Sequence, residues 1–285
     1  MTPVQRRAVV TDAQTGRGLP LARACRYLGV QRALVRYAPR RVPPAALCAR
    51  LHELAVAKPR WGSPRLTWRL RREGWGINHK RIERLLRVAH LLVGQRPRRK
   101  RGAPARVPAP IPTRPDERWS MDFLRDTLAD GRPYRIWTLV DDATREAPLV
   151  LVDRSLPAPR VVEALGTLLL VRRRPQAIVC DNGPEFVSLA LDQWASAHGI
   201  RLDFIRPGRP VENCFIESFN GKLRDECLNQ HHFASLAEAQ QRIETWRQEY
   251  HTERPHRGLG QRTPAEFAAR FTPEEGHSSE AILRC

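Results

Sequence analysis

The sequence predicts an α/β fold, a mixed sheet with flanking helices, preceded by a small all-helical basic region. Three observations carry this expectation. Three strand-like runs follow one another between residues 118 and 153, helix-like and strand-like segments then alternate, and an excess of positive charge is confined to the part of the chain in front of them. Strands in succession, followed by alternating helix and strand, describe a sheet whose faces are covered by helices. At a loose expectation of about 150 residues per domain, a chain of 285 residues has room for such a core and smaller appendages.

In chain order, LARACRYLGVQRALVRY repeats apolar residues at helical spacing around a break at Gly29, a short helix-turn-helix pattern within residues 1–43. A second basic helical unit occupies residues 44–93. There Leu66 and Leu70 suit one helix, Gly74 and Gly76 interrupt it, and Ile82, Leu85 and Leu86 suit the next. Residues 94–117 hold six prolines and seven Lys or Arg without apolar periodicity, which is the composition of a linker. The core is expected over 118–271, with a tail at 272–285. WSMDFL, RIWTLVDD and APLVLVD read as strands, PRVVEALGTLLLVRR as a helix, AIVCDNG as a short buried strand ending in a turn, PEFVSLALDQWASAHG as a helix and RLDFIRP as a fifth strand. A long helical stretch from about Glu212 to Asn229 follows.

The net charge of +19 is unevenly placed: residues 1–117 hold 27 Lys or Arg against 6 Asp or Glu, and the remainder 22 against 24. Basic side chains that neutralise phosphates release counterions and so drive association, which points to a nucleic-acid partner for the first part. Arg65, Arg69, Lys80, Arg81 and Arg84 decorate the second helical unit and are the candidate nucleic-acid contacts, because few acidic residues stand near them in the sequence. The six cysteines form no C-x-x-C pair, as expected of reduced thiols. No apolar run approaches the ~20 residues of a membrane span and no signal-peptide core opens the chain, so a soluble cytoplasmic protein without membrane association is expected.

Three carboxylates stand out, and the first two lie in places unfavourable to a lone charge. Asp122 lies between Met121 and Phe123 in a strand, Asp181 ends the apolar run Ala177 to Cys180, and Glu217 lies beside a stripe of Phe215, Phe219 and Leu223 on a helix. Asn213 and Arg224, four residues before Glu217 and seven after it, share its face by helical periodicity. Asp141 and Asp142 are weaker candidates, in what reads as a turn. Carboxylate oxygens around open water positions are what Mg²⁺ requires, and two such ions are what phosphodiester chemistry uses.

With WSMDF at the first Asp, CDNGPEF at the second, 35 residues from there to the Glu of ENCFIESFNGKLRDE, and the tail YHTERPHRGLGQRTPAEF, the chain resembles the DDE transposases of the bacterial insertion-sequence three family, the product of their second reading frame. The resemblance implies a ribonuclease H-like catalytic core of the retroviral-integrase type. It also implies that Asp122, Asp181 and Glu217 are both catalytic residues and metal ligands for Mg²⁺; the phosphodiester chemistry adds the expectation of two ions, and Mn²⁺, which accepts the same oxygen ligands, is the expected substitute. Arg224 and Asn213 would then position DNA, and Asn182 and Glu185 would shape the site. The implied reaction is 3′-end cleavage and strand transfer of an insertion element into target DNA. Implied partners are terminal-repeat and target DNA, further copies of the chain and a first-reading-frame protein, in a nucleoid-associated setting. A DNA-binding relic without cleavage and a ribonuclease H-type nuclease are the alternatives. His251 and His256 are open between a place near the site and fold closure.

Overall fold

The computed structural model describes residues 3–36, 44–94, 112–183, 186–206 and 213–271. The expected linker from Gln95 to Ile111, Glu185, Glu212 and the tail beyond Phe271 lie outside the described residues. Two compact units are formed, Met1–Arg50 and Leu51–Cys285, and the division between them falls inside a helix.

The first unit contains α1 (Pro3–Arg17), α2 (Leu21–Tyr27) and α3 (Arg32–Arg36). Val10, Ala24, Cys25 and Val30 form its small core. Gly29 takes φ +58°, a left-handed turn that glycine enters without Cβ strain, and it separates α2 from α3 at the expected break. The division between units lies in α4 (Ala45–Ala57).

The second unit begins with the helical pair α5 (Ser63–Arg72) and α6 (His79–Val88). Leu66, Leu70, Ile82 and Leu86 are buried between them and their surroundings, while Leu85 is half-buried. Gly74 at φ +89° reverses the chain, and Asn78 caps α6 by accepting the Lys80 amide at 3.0 Å.

The sheet follows: β1 (Arg118–Thr127), β2 (Pro133–Asp141), β3 (Leu149–Asp153), then α7 (Ala158–Leu169), β4 (Ala177–Cys180), α8 (Leu189–Ala197) and β5 (Arg201–Phe204). The strand order is β3-β2-β1-β4-β5; β1, β2 and β3 pair antiparallel, whereas β4 runs parallel to β1 and β5 parallel to β4. This is the expected mixed sheet with flanking helices, in the ribonuclease H-like strand order, and it follows an N-terminal helical region in the chain.

Strand alternation divides the core into two layers. Trp119, Met121, Trp137 and Leu139 pack with Val161, Leu165, Leu191 and Trp194 of α7 and α8. Leu124, Ile136 and Val140 pack on the other face, against α9 (Cys214–Glu226) and α10 (Leu236–Thr252). α11 (Pro264–Ala268) ends the described chain with a Thr263–Glu266 capping box, apart from a last short turn.

Three sequence expectations shift. The helix expected from residue 184 starts at Leu189, because the Ser188 hydroxyl accepts the Leu191 amide and sets the start there. The long stretch expected to Asn229 stops at Glu226, and a separate tight turn runs from Leu228 to Gln230. The helix expected to Arg173 ends at Leu169 and leaves Leu170 and Val171 exposed. Among the described residues no helix is long and apolar enough to cross a membrane.

Candidate active site

Asp122 owes its place to two periodicities. On β1 the side chains of Trp119 and Met121 enter the α7/α8 layer, so Ser120, Asp122 and Leu124 point to the α9 layer. Asp122 pairs across the ladder with Thr138 of β2. The parallel pairing of β1 with β4 sets Trp119 beside Ile178 and Ser120 beside Val179. Carried two residues further, that register brings Asp122 level with Asp181, on strands about 5 Å apart. Because β4 is buried along its whole length and ends at Cys180, Asp181 emerges where the strand gives way to a loop.

α9 brings the third acid. Ile216, Phe219, Asn220 and Leu223 are its buried face, and Glu217 and Arg224 are exposed. The expected stripe is therefore off by one residue at its start. Ile216, not Phe215, enters the core, and half-buried Phe215 lies under the Arg145 guanidinium at 3.6 Å. Asn213 also departs from expectation: as the N-cap residue it precedes the helical phase, is 3% exposed and has an unpartnered Oδ1, so it does not share the open face of Glu217.

The sequence reading missed Asn220. Its Nδ2 donates to Asp122 Oδ2 at 2.8 Å, and its Oδ1 accepts the Thr138 hydroxyl at 2.9 Å. The same hydroxyl lies 3.2 Å from the Asp122 carbonyl oxygen. Asp122 Oδ1 accepts the Phe123 amide at 2.7 Å. The available signal was the spacing: Asn220 follows Glu217 by almost one helical turn, and a polar residue in the buried stripe of a helix needs a polar partner beneath it.

Burial pushes the Asp122 carboxyl up to about 6. The Phe123 and Asn220 bonds oppose that shift, while the negative charges of Asp181 and Glu217 add to it. Thus the three predicted acids come from β1, the end of β4 and α9 to one end of the sheet, where two act electrostatically on the third. They do not form a ready-made cage: among the described residues no group of three or more Asp, Glu, His or Cys side chains is close enough to hold a metal ion. Asp181 Oδ1 accepts the Gly183 amide at 3.0 Å, and Asn182 Nδ2 donates to the Ile205 carbonyl at 2.9 Å, tying the ends of β4 and β5 together.

Asp141 and Asp142 are fully buried in the β2–β3 turn. Asp141 accepts the amides of Asp116, Ala143 and Thr144, and Asp142 accepts the Ser120 hydroxyl at 2.6 Å and pairs with Arg118 at 2.7 Å. Their oxygens are spent on folding. His251 and His256 are placed by the fold as well: His251 Nε2 accepts the Ala147 amide at 2.8 Å, and the His256 ring stands edge-on to Tyr250.

The basic candidates divide into two sets. Arg65 reaches Glu226 at 3.5 Å and Arg69 pairs with Glu73 at 3.1 Å. Lys58, Arg60 and Arg72 likewise pair with Glu249, Asp225 and Glu266. The expectation that this unit lacks acidic partners is corrected, since most of them arrive from far along the chain. Lys80 and Arg84 are exposed on α6 and Arg81 is half-buried, with no ion pair among the described residues.

A helical region ahead of a mixed sheet that gathers carboxylates at one end defines an HTH-like domain joined to an integrase core, and the comparisons agree. Residues 46–101 match the HTH-like domain family, and residues 112–210 and 198–264 match integrase core domain families. The chain is 45% identical over 249 residues to the insertion element IS407 uncharacterized 31.7 kDa protein of Burkholderia multivorans, covering 87% of this chain and 90% of that one. It is 27% identical to the transposase for insertion sequence element IS904 of Lactococcus lactis, over 74% of this chain and 88% of the relative. To the transposase InsF for insertion sequence IS3A of Escherichia coli it is 24% identical, over 63% and 66%. The chain belongs to the insertion-element transposases of the insertion-sequence three family.

Proposed function

We propose that the chain catalyses divalent-metal-dependent 3′-end cleavage and strand transfer of an insertion element, with Asp122, Asp181 and Glu217 as the catalytic acids. The observation that carries this reading is the half-buried Asp122 carboxylate, fixed by Asn220 and acted on by the negative charges of Asp181 and Glu217. An all-oxygen donor set of three carboxylates fits Mg²⁺ or Mn²⁺, because a cation would offset the burial that raises the Asp122 carboxyl and the smaller repulsion that Asp181 and Glu217 add. Those three residues would hold the metal, two ions in the reading argued from phosphodiester chemistry. When bound, the metal supplies Lewis acidity and charge neutralisation at the phosphodiester.

The chain's own side chains do the rest. Asn220 and Thr138 keep the Asp122 carboxylate in one orientation, and Arg224, exposed on the helix of Glu217, would hold a DNA phosphate near it. In the first step water attacks the phosphorus at the element end, and the bond to the 3′ oxygen breaks to leave a 3′-OH. That hydroxyl then attacks a second phosphodiester, losing its proton as the new P–O bond forms and another 3′ oxygen departs. Lys80, Arg81 and Arg84 of the HTH-like domain would bind DNA, Arg69 would do so only in exchange for Glu73, and Arg65 would do so beside its long contact with Glu226. Further copies of the chain and a first-reading-frame protein are the expected partners.

The test is incubation of the purified chain with element-end DNA and Mg²⁺ beside Glu217→Gln and Asp122→Asn variants. Nicked and joined products from the parent chain only are expected. Equal products from all three would remove these acids from catalysis, and none from any would leave a DNA-binding protein.

A further inference from the structure

Beyond Glu217, α9 leads to a second polar cluster. Arg254, in the loop after α10, has a side chain 3% exposed and donates from Nε and Nη2 to the two Glu226 oxygens at 2.8 and 2.7 Å. Arg65 of α5 reaches the same carboxylate at 3.5 Å. Lys222 stands one turn before Glu226 on the same helix face, its Nζ donating to the Ser218 carbonyl and hydroxyl oxygens at 2.9 and 2.7 Å. Arg254 and Arg65 therefore share a single carboxylate, with Lys222 one turn away on the helix that carries it.

His256 completes the group. It follows Arg254 by two residues and is 7% exposed, and its Nε2 is buried without a hydrogen-bond partner. Arg254, Lys222, Arg65 and Arg145 all act on it with positive charge, which together with burial keeps the imidazole neutral. A neutral imidazole can carry its proton on either nitrogen, and in the Nε2–H tautomer the orphaned buried nitrogen lacks only the acceptor that an anion would supply. Burial, with the neighbouring arginines, also pulls Lys222 down to about 7 and Arg65 to about 10. Desolvated positive charge with too little negative charge beside it is costly to the fold alone and favourable to an anion.

We propose that this cluster is an oxyanion subsite that takes one phosphate group, with Lys222 and Arg65 as direct donors, Arg254 beneath them and His256 donating from Nε2. Lys222 is half-buried and Arg65 is one-third exposed, so both can be reached from solvent. The subsite rests on the transposase reading only for the source of the phosphate, a backbone phosphate of bound DNA. Inorganic phosphate offers the same oxygens.

The test uses the full chain without divalent metal, so its outcome is independent of cleavage. Inorganic phosphate is expected to raise Tm saturably, and the rise is expected to vanish in Lys222→Met and in Arg65→Gln, two changes on different helices. It is expected to persist in Arg160→Gln, an exposed charge on α7. Without phosphate, Lys222→Met is expected to melt no lower than the parent chain, because it removes a cation crowded by cations. For a duplex, Lys222→Met should lower the slope of log K against log salt by about 0.9, the value for one neutralised phosphate. Loss of the phosphate effect with an unchanged slope assigns the subsite to free phosphate. Retention of the phosphate effect by Lys222→Met and Arg65→Gln, or its loss in Arg160→Gln as well, overturns the proposal.

Discussion

Asn220 spends both ends of its amide on one task, donating to Asp122 and accepting from Thr138. A carboxylate with two like charges acting on it has reason to turn away, and this amide opposes that motion while leaving the carboxylate its charge. Asn220→Ala is expected to lower cleavage by about 10- to 100-fold, the usual cost of removing a partner that orients a ligand. Higher Mg²⁺ should recover part of the loss, since the defect lies in holding the metal. Single-turnover cleavage against Mg²⁺ concentration checks this, and an Asn220→Ala rate equal to the parent's would remove the orienting role.

α9 and α10 form the element that carries Glu217, and their packing is mostly aromatic: Phe219 meets Trp246 and Tyr250 edge-on at 5.4 and 4.9 Å. Two polar contacts hold this pair, one back to α9 and one from α10 to the loop before β3. Arg254 pairs with Glu226, whose side chain is 10% exposed, so Arg254→Ala leaves that carboxylate with only a distant partner. A loss of about 3 to 5 kcal/mol is expected by chemical denaturation. His251 accepts the Ala147 amide and is pushed down to about 4, first by burial and then by the charge of Arg247. Its folded value lies below the free value near 6.5, so the unfolded chain binds more protons between pH 4 and 6.5. Stability from this group is complete above pH 6.5 and is lost as pH falls through that window, by about 2 kcal/mol at pH 5. His251→Gln, which keeps an acceptor, should flatten that part of the profile; an unchanged slope would assign the acid sensitivity elsewhere.

For the whole molecule, the charge of +19 overstates what is free to meet DNA. Lys58, Arg60, Arg65 and Arg72 of the HTH-like region are each engaged by an acid between Asp225 and Glu266. Such partly exposed pairs add little stability, yet they lower the charge that this surface offers to phosphate. Lys80, Arg81 and Arg84, which lack ion pairs among the described residues, should dominate non-specific binding. Replacing all three by Gln is expected to lower the slope of log K against log salt by about 0.9 for each phosphate that is no longer neutralised. A slope that stays at the parent value would move DNA binding to another surface.

The strands, the order of helix and strand, and the candidacy of the three acids could be read from residues alone. Each rests on a local period or on a charge set in an apolar run, as with Asp122 in WSMDF and Asp181 after AIVC. Tertiary structure decided which groups meet. That Asn220 rather than Asn213 serves the site depends on where α9 begins its phase and which strand lies below. That Arg65 faces Glu226 depends on a contact between residues 161 positions apart. Periodicity records which face of an element is apolar, but partners across the fold are fixed only when two faces are packed together. For that reason the carboxylates were legible one by one, while the amide that orients Asp122 and the basic cluster around His256 were not.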